Sequence, residues 1–381
     1  MNRVPLTPRP DWKEKVESLG LLFHTNVDGT PYWNECAYYT FSAAEVEVLE
    51  RASNDLWEKC LAAVEHVIQN DRFGELAIPV EAKPAIVHSW EGDVPSIYGR
   101  FDLAYNGIDP PKLLEFNADT PTSLLEAAAI QWHWLQDLYP QADQFNSIWE
   151  ALVEKWRELK DGRHLQGAML HFCHDANTED LMTATVLRDS AEEAGLATKG
   201  LLITEVGWHS QNRWFVDKDD FRIQTAFKLY PWEWMLQDEF GKHAMEIHDQ
   251  MQWIEPAWKM ILSNKGILAI LWELFPEHPN LLPAYIGRSR DLQEYVQKPL
   301  LSREGANVTI KRHGSIQRTS GDYGYEGVVY QQFFELPSFE GNRPVLGSWI
   351  VTDHGCCGLG IRESDGPVTD NLSRFVPHLF W

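Results

Sequence analysis

The sequence predicts an α+β fold, mixed sheets with flanking helices, and three observations carry that prediction. Helix-period runs with capping residues occupy the first third, a strand–helix–strand unit lies near the middle, and short strands crowd the chain from about residue 294 onward. The first helix is predicted over about 42–70. There Ser42 and Glu45 form an S-x-x-E capping box, and Val46, Leu49, Ala52, Leu56, Cys60, Val64 and Val67 recur at three- and four-residue steps. A second helix is predicted to follow Ser123, which forms S-x-x-E with Glu126 ahead of "LLEAAAIQWHWLQDLY"; this makes Glu126 a cap and not a ligand. Between 165 and 206, "GAMLHFC", "EDLMTATVLRDSAEEAG" and "KGLLITEV" read as a βαβ unit. Residues 232–275 read as mainly helical, and "EYVQKPL", "NVTIKR", "GVVYQQFFEL", "VLGSWIVTD" and "CGLGIRE" as strands.

The chain has 381 residues, enough to bury a large core, and its net charge is -23. That balance excludes generic nucleic-acid binding, which needs a basic stripe to displace counterions from phosphates. It leaves a mild preference for cationic small molecules. The cysteines are Cys36, Cys60, Cys173, Cys356 and Cys357: an odd number, two of them adjacent, with no CxxC pair and so no disulfide framework. The start "MNRVPLTPRPDWKEK" has no apolar signal core, and no run of about 18 apolar residues follows. The expectation is a cytoplasmic protein without membrane attachment.

The informative stretch is "YGRFDLAYNGIDPPKLLEFN", two strand-like runs separated by hairpin punctuation at Asn106-Gly107 and Asp109-Pro110-Pro111. Arg100 and Asp102 alternate with Phe101 and Leu103, and Glu115 and Asn117 with Leu114 and Phe116, so each run has a polar and an apolar face. An antiparallel register setting Phe101 against Phe116 and Leu103 against Leu114 puts Asp102 opposite Glu115 and Arg100 opposite Asn117. Opposed acids repel by a few tenths to about 1 kcal/mol. A divalent cation reverses that sign, and two carboxylates with an amide oxygen suit Mg²⁺. The alternative is a solvated face with a simple Arg–Asp pair.

Neither a G-x-x-x-x-G-K-[ST] loop nor a G-x-G-x-x-G turn is present. "QKPLLSREGANVTIKR" offers Lys298 and then a polar turn over 302–307, either a phosphate-covering loop or an ordinary hairpin. Lys265, ahead of a helix, is either a nucleotide contact or a surface charge. "HFCH" at 171–174 falls on a strand and reads as structural rather than as a metal box. Cys356 and Cys357 read as buried thiols.

With these residues in view, the sequence resembles the synthetase portion of glutathionylspermidine synthases and their stand-alone acid–amine ligase relatives. The similarity runs from about residue 12 to the end. It is carried by "GRFDLAY", "LLEFNADTPTSLLEA", "QKPLLSREGANV", "VYQQFFELP", "GSWIV" and "GIRESDGPVTDNLSRF". The resemblance implies an ATP-grasp fold with a permuted order of motifs, in which an N-terminal arm (1–11) precedes one synthetase unit (12–381). Within that unit, 12–206 would carry the substrate and metal parts and 207–381 the nucleotide part. It implies Asp102, Glu115 and Asn117 as ligands of Mg²⁺ (two ions), and Arg100 at the ATP phosphates. Lys265 and Lys298 would hold the nucleotide, with Glu304 and Gly305 in the covering loop and Gln331 and Gln332 on the strand that reads adenine. Arg362 would meet the transferring phosphate or the acyl phosphate. Thr120 and Thr122 would hold the acid, and Glu179 and Asp180 match an acidic pair near the substrate. Here Thr replaces the Ser of the bifunctional members and Asp180 replaces a second Glu, which leaves acid and amine specificity open. Those members also carry a cysteine amidase domain, for which this length leaves no room.

The implied activity is ATP-dependent amide formation through an acyl phosphate, joining a glutathione-like acid to a polyamine-like amine. A nucleotide-binding sensor without turnover, or a kinase stopping at the phosphorylated acid, are the competing readings.

Overall fold

The computed structural model describes residues 1–369 and 372–381; Asp370 and Asn371, inside the last of the quoted motifs, lie outside the described residues. The architecture is mixed α and β, with the functional hairpin at one edge of a five-stranded antiparallel sheet. Its strand order is Arg374–Val376, Gly355–Ser364, Arg343–Val351, Tyr98–Ala104, Lys112–Asn117. An early hairpin is thus joined to late strands. A second antiparallel sheet runs Ala284–Ile286, Val328–Gln332, Tyr295–Pro299, Thr309–Arg312, Ser315–Arg318. A four-stranded parallel sheet, Gln252–Ile254, Thr225–Leu229, Leu170–His174, Thr198–Leu202, contains the expected βαβ unit with helix Thr178–Glu193 as its crossover.

The first helix runs Ala43–Gln69 with both capping-box bonds made, and each apolar position expected to face the core is buried. The second departs from expectation. Ser123 sits in the left-handed region at φ 65, where it cannot act as an extended N-cap, and no side-chain cap forms. A π turn over Glu126–Ile130 precedes the helix Gln131–Leu138, and the Glu126 side chain turns inward. The region 232–275 holds four short helices, as expected, but the strand Gln252–Ile254 interrupts them. At three residues it is too short to show a period.

In the hairpin, Arg100 pairs with Asn117, Phe101 with Phe116 and Asp102 with Glu115, in the expected register. Beyond Asp102 a bulge sets Leu103 opposite Leu113 instead of Leu114. The cause is packing: Leu113 and Phe116 are both buried, and residues three apart face one side of a strand only if an extra residue is inserted between them. Leu114, the extra residue, faces the cavity described below. Phe101 and Phe116 stack beneath the polar face with ring centroids 4.1 Å apart.

Gly99 lies against this stack, where an added Cβ would come within 2.7 Å of the Phe116 ring. Gly99→Ala is expected to lower stability by about 1–3 kcal/mol through overpacking. Urea unfolding should show a reduced midpoint with an unchanged slope; an unchanged midpoint would mean that the ring has room to move.

Candidate active site

The hairpin's polar face, the second antiparallel sheet and the carboxyl ends of the parallel strands enclose a cavity of ≈ 680 Å³. Every residue singled out above as a site candidate lines it: Arg100, Asp102, Glu115, Asn117, Thr120, Thr122, Glu179, Asp180, Lys265, Lys298, Glu304, Gly305, Gln331, Gln332 and Arg362.

Asp102 is the hub. One carboxylate oxygen accepts from Arg100 Nε at 2.8 Å; the other accepts from Arg362 Nη2 at 2.8 Å and Asn117 Nδ2 at 3.2 Å. Burial opposes its ionisation, but Arg100 and Arg362 outweigh burial and hold the carboxyl below its usual range. Glu115 is answered separately, by Lys265 at 2.8 Å. The opposed acids therefore sit under one cation from their own hairpin and two from other segments. The donor set suits a hard divalent cation: two carboxylates and one amide oxygen leave about half of an octahedron to water and phosphate oxygens. Among the described residues, no group of three or more His, Cys, Asp or Glu side chains forms a closed metal cage.

Lys265 also donates to Ser302 O at 2.6 Å, which ties it to the loop that holds Glu304 and Gly305. Gly305 has φ +68 and a Cβ there would strike Val368 at 2.6 Å, so glycine is required where this loop meets the C-terminal motif. Lys298 donates to Leu114 O at 2.7 Å and to Gln331 Oε1 at 2.9 Å, while Gln331 Nε2 donates to Leu113 O at 2.9 Å. The bulge carbonyls are thus fixed by the second sheet. Burial pushes the Lys298 ammonium down to about 8, against the pull of Glu115. Gln332 follows on the same strand, and Phe333, Phe334, Leu336 and Val345 make this part of the cavity apolar.

Opposite lies an acidic side. Glu179 and Asp180 occupy the first turn of the helix after Leu170–His174, which is capped by Asn177 accepting from Asp180 N at 2.8 Å. Burial, with Glu179 and Asp175 beside it, pushes the Asp180 carboxyl up to about 6. Thr122 O accepts from Arg100 Nη1 at 2.6 Å, and Thr120 Oγ1 accepts from Arg303 Nη1 at 2.8 Å.

Several residues of this site were not legible as such. Arg303, read only as part of a polar turn, bonds Thr120 and Glu233 and lies over the Trp234 ring. Its one signal was its place directly before Glu304-Gly305. Glu126, read as a cap, is buried and accepts a 2.6 Å hydrogen bond from Tyr32 Oη, itself 3.1 Å from Ser123 Oγ. Burial pushes its carboxyl up to about 7. The expected structural reading of "HFCH" holds: His171 bonds Asp217 and His174 bonds Asp175 O, both within or at the end of a buried strand. Cys356 and Cys357 are buried and free, and burial pushes the Cys356 thiol up to about 11. Among the described residues no helix is long and apolar enough to cross a membrane.

The family described as glutathionylspermidine synthase pre-ATP-grasp matches residues 3–381. A Haemophilus influenzae protein named "Putative acid–amine ligase" is 41% identical over 395 aligned residues, covering 100% of both chains. Trypanothione synthetase of Crithidia fasciculata is 31% identical over 83% of this chain and 52% of its own length. The bifunctional glutathionylspermidine synthetase/amidase of Escherichia coli is 26% identical over 80% of this chain and 53% of its own. The chain thus spans about half the length of these last two relatives.

The buried Glu126 makes a stability prediction with a definite sign. Its carboxyl titrates near 4.5 in an unfolded chain and about 7 when folded. Below the lower value both states are protonated; as pH rises between the two, the unfolded state ionises first and stability falls, by on the order of 3 kcal/mol in all. Glu126→Gln removes that loss while keeping an acceptor for Tyr32. Its thermal midpoint should exceed that of the unaltered chain progressively from about pH 4.5 to about 7 and then by a constant amount. Parallel pH curves for the two proteins would show that Glu126 does not titrate in this way.

Proposed function

The chain belongs to the glutathionylspermidine synthase family, whose named members are C–N ligases, and from that premise we propose that it is an ATP- and Mg²⁺-dependent acid–amine ligase acting through an acyl phosphate. The observation that carries this reading is the convergence of Asp102, Glu115 and Asn117 with Arg100, Lys265, Lys298 and Arg362 in one cavity. The fold in this reading is an ATP-grasp with permuted motif order. Residues 12–206 bear the metal hairpin and substrate contacts, 207–381 bear most of the nucleotide site, and 1–11 form an arm.

Asp102, Glu115 and Asn117 hold Mg²⁺, as two ions, which when bound neutralises charge on the ATP phosphates. Lys265 and Lys298 hold the nucleotide phosphates, the Glu304-Gly305 loop covers them, and the base lies against the strand carrying Gln331 and Gln332 and the apolar side chains beside it. Thr120 and Thr122 position the acid with its carboxylate toward the γ-phosphate. Arg100 and Arg362 stabilise the charge that develops on the transferring group. Glu179 and Asp180 attract a cationic amine, whose nitrogen displaces phosphate. No protein nucleophile is required. Small-molecule acid and amine substrates and a cytoplasmic setting fit this chemistry, and a chain of net charge -23 does not suit nucleic acid.

The test is ADP release by the purified chain with Mg²⁺, offering glutathione and related acids with and without spermidine and related amines. Release that needs both an acid and an amine is expected. Glu115→Gln is expected to lower it by about 10²-fold or more while the thermal midpoint is kept. Amine-independent ADP release would indicate a kinase, and tight Mg·ATP binding without turnover a nucleotide-binding partner. Full activity of Glu115→Gln would remove that residue from the metal set.

A further inference from the structure

Amide formation poses a proton problem that the residues assigned so far do not solve. The amine arrives as an ammonium ion and must shed a proton before its nitrogen can attack. Arg100, Arg362, Lys265 and Lys298 are cations and accept none, while Glu179 and Asp180 act by keeping the amine charged and held. A proton acceptor is needed between these two sides.

Tyr32 and Glu126 lie there. The Tyr32 ring lines the cavity, and its hydroxyl donates at 2.6 Å to the Glu126 carboxylate behind it, with Ser123 Oγ 3.1 Å away. Glu126 is 1% exposed and does not itself line the cavity, whereas Tyr32, which donates to it, does. Arg100 from the hairpin and Glu179 from the acidic helix turn both act on it electrostatically, so it responds to the phosphate side and the amine side alike. With Tyr32 from the N-terminal segment, these are the titratable groups that face it. The local backbone is specialised as well. Ser123 is held at φ 65, and the helix opens on a π turn beginning at Glu126, features that serve no capping role and recur at functional sites.

We propose that Tyr32 and Glu126 form the proton exit of the aminolysis step, with Tyr32 as the catalytic group and Glu126 acting through it. The ammonium N–H bond breaks and its proton passes to Tyr32 Oη, as the hydroxyl's own proton passes to Glu126 Oε1 to give a carboxylic acid. The lone pair freed on nitrogen forms the C–N bond to the acyl carbon, the C–O bond to phosphate breaks with its electron pair passing to the phosphate oxygen, and the second proton of the attacking nitrogen passes to that oxygen, so that a neutral amide and hydrogen phosphate result. A carboxyl raised to about 7 by burial is matched to accepting this proton near neutrality. The inference rests on the acid–amine ligase reading of the same cavity.

The experiment compares two nucleophiles in the full chain, with glutathione, Mg²⁺ and ATP present. Spermidine must lose a proton before attack; hydroxylamine is already uncharged at neutral pH. Tyr32→Phe and Glu126→Gln are each expected to lower spermidine-supported kcat by about 10²-fold. The loss with hydroxylamine should be at least about tenfold smaller, since only the proton-transfer part of the barrier is spared. The spermidine pH profile of the unaltered chain should rise through an apparent pKa of about 7, and Glu126→Gln should flatten it. Equal losses with both nucleophiles, an unchanged profile, or full spermidine turnover in both variants would overturn the proton exit while leaving the ligase reading intact. Absence of turnover by the unaltered chain would instead overturn the ligase reading, and this inference with it.

Discussion

Asp102 and Glu115 face one another across an antiparallel strand pair, where like charges repel, and much of the surrounding structure answers that repulsion. The response comes from across the chain: Arg100 two residues along the same strand, Arg362 from the far end of the sequence, Lys265 from ahead of a helix. Each contact is a charge-assisted hydrogen bond at 2.8 Å in a partly desolvated setting, where such bonds are roughly twice as strong as neutral ones. The same three cations are the ones a triphosphate would need. Here they neutralise the carboxylates; with a divalent cation on those carboxylates, as proposed, they would become available to anionic oxygens. One set of side chains would thus serve both arrangements.

Behind the hairpin, two fully buried lysines fix its position. Lys259 Nζ donates to Tyr98 O at 2.9 Å and Ala118 O at 3.1 Å, at the start of one hairpin strand and just past the end of the other. Glu255, 3.3 Å from it, accepts from the backbone N–H groups of Ile97 and Tyr98. Lys228 pairs with Asp119 at 2.6 Å, and Asp119 also accepts from Trp232 N at 3.0 Å. Buried pairs of this kind add little net stability against an apolar replacement, whereas removing one partner is costly. Their effect is geometric: they join the hairpin to the parallel sheet and hold the polar face toward the cavity.

Period-two alternation was enough to read that polar face and most of its register, because parity alone decides which side chains share a side. The bulge was not readable: it is set by where Leu113 must go in three dimensions, and a two-strand pattern has no information about the core beneath it. Glu126 failed for a different reason. S-x-x-E is a statement about local hydrogen bonds, and here Tyr32, 94 residues away, offered the carboxylate a better partner. The first S-x-x-E, at Ser42, forms both capping bonds even though the N-terminal ammonium of Met1 also pairs with Glu45. Lys228 and Lys259 carried no signal at all, since a lysine in a sequence is read as a surface charge until its buried carboxylate is known.

The division of charge inside the cavity suits the two reactants of opposite sign that the proposed reaction requires. A polyanionic nucleotide and a polycationic amine attract each other in solution, and a site of uniform charge would admit only one of them. Here cations gather on the hairpin and second antiparallel sheet, while Asp175, Glu179 and Asp180 gather at the carboxyl end of the parallel strands. Thr120 and Thr122, uncharged and tied to Arg303 and Arg100, lie on the segment between. In a cavity of low effective dielectric these fields are several-fold stronger than in water, so each reactant is drawn to its own side. In the proposed ligase the acid would occupy the neutral ground where both must meet it, and the amine would stay charged while it binds and lose its proton only at the point of attack, through Tyr32, which lines the same cavity.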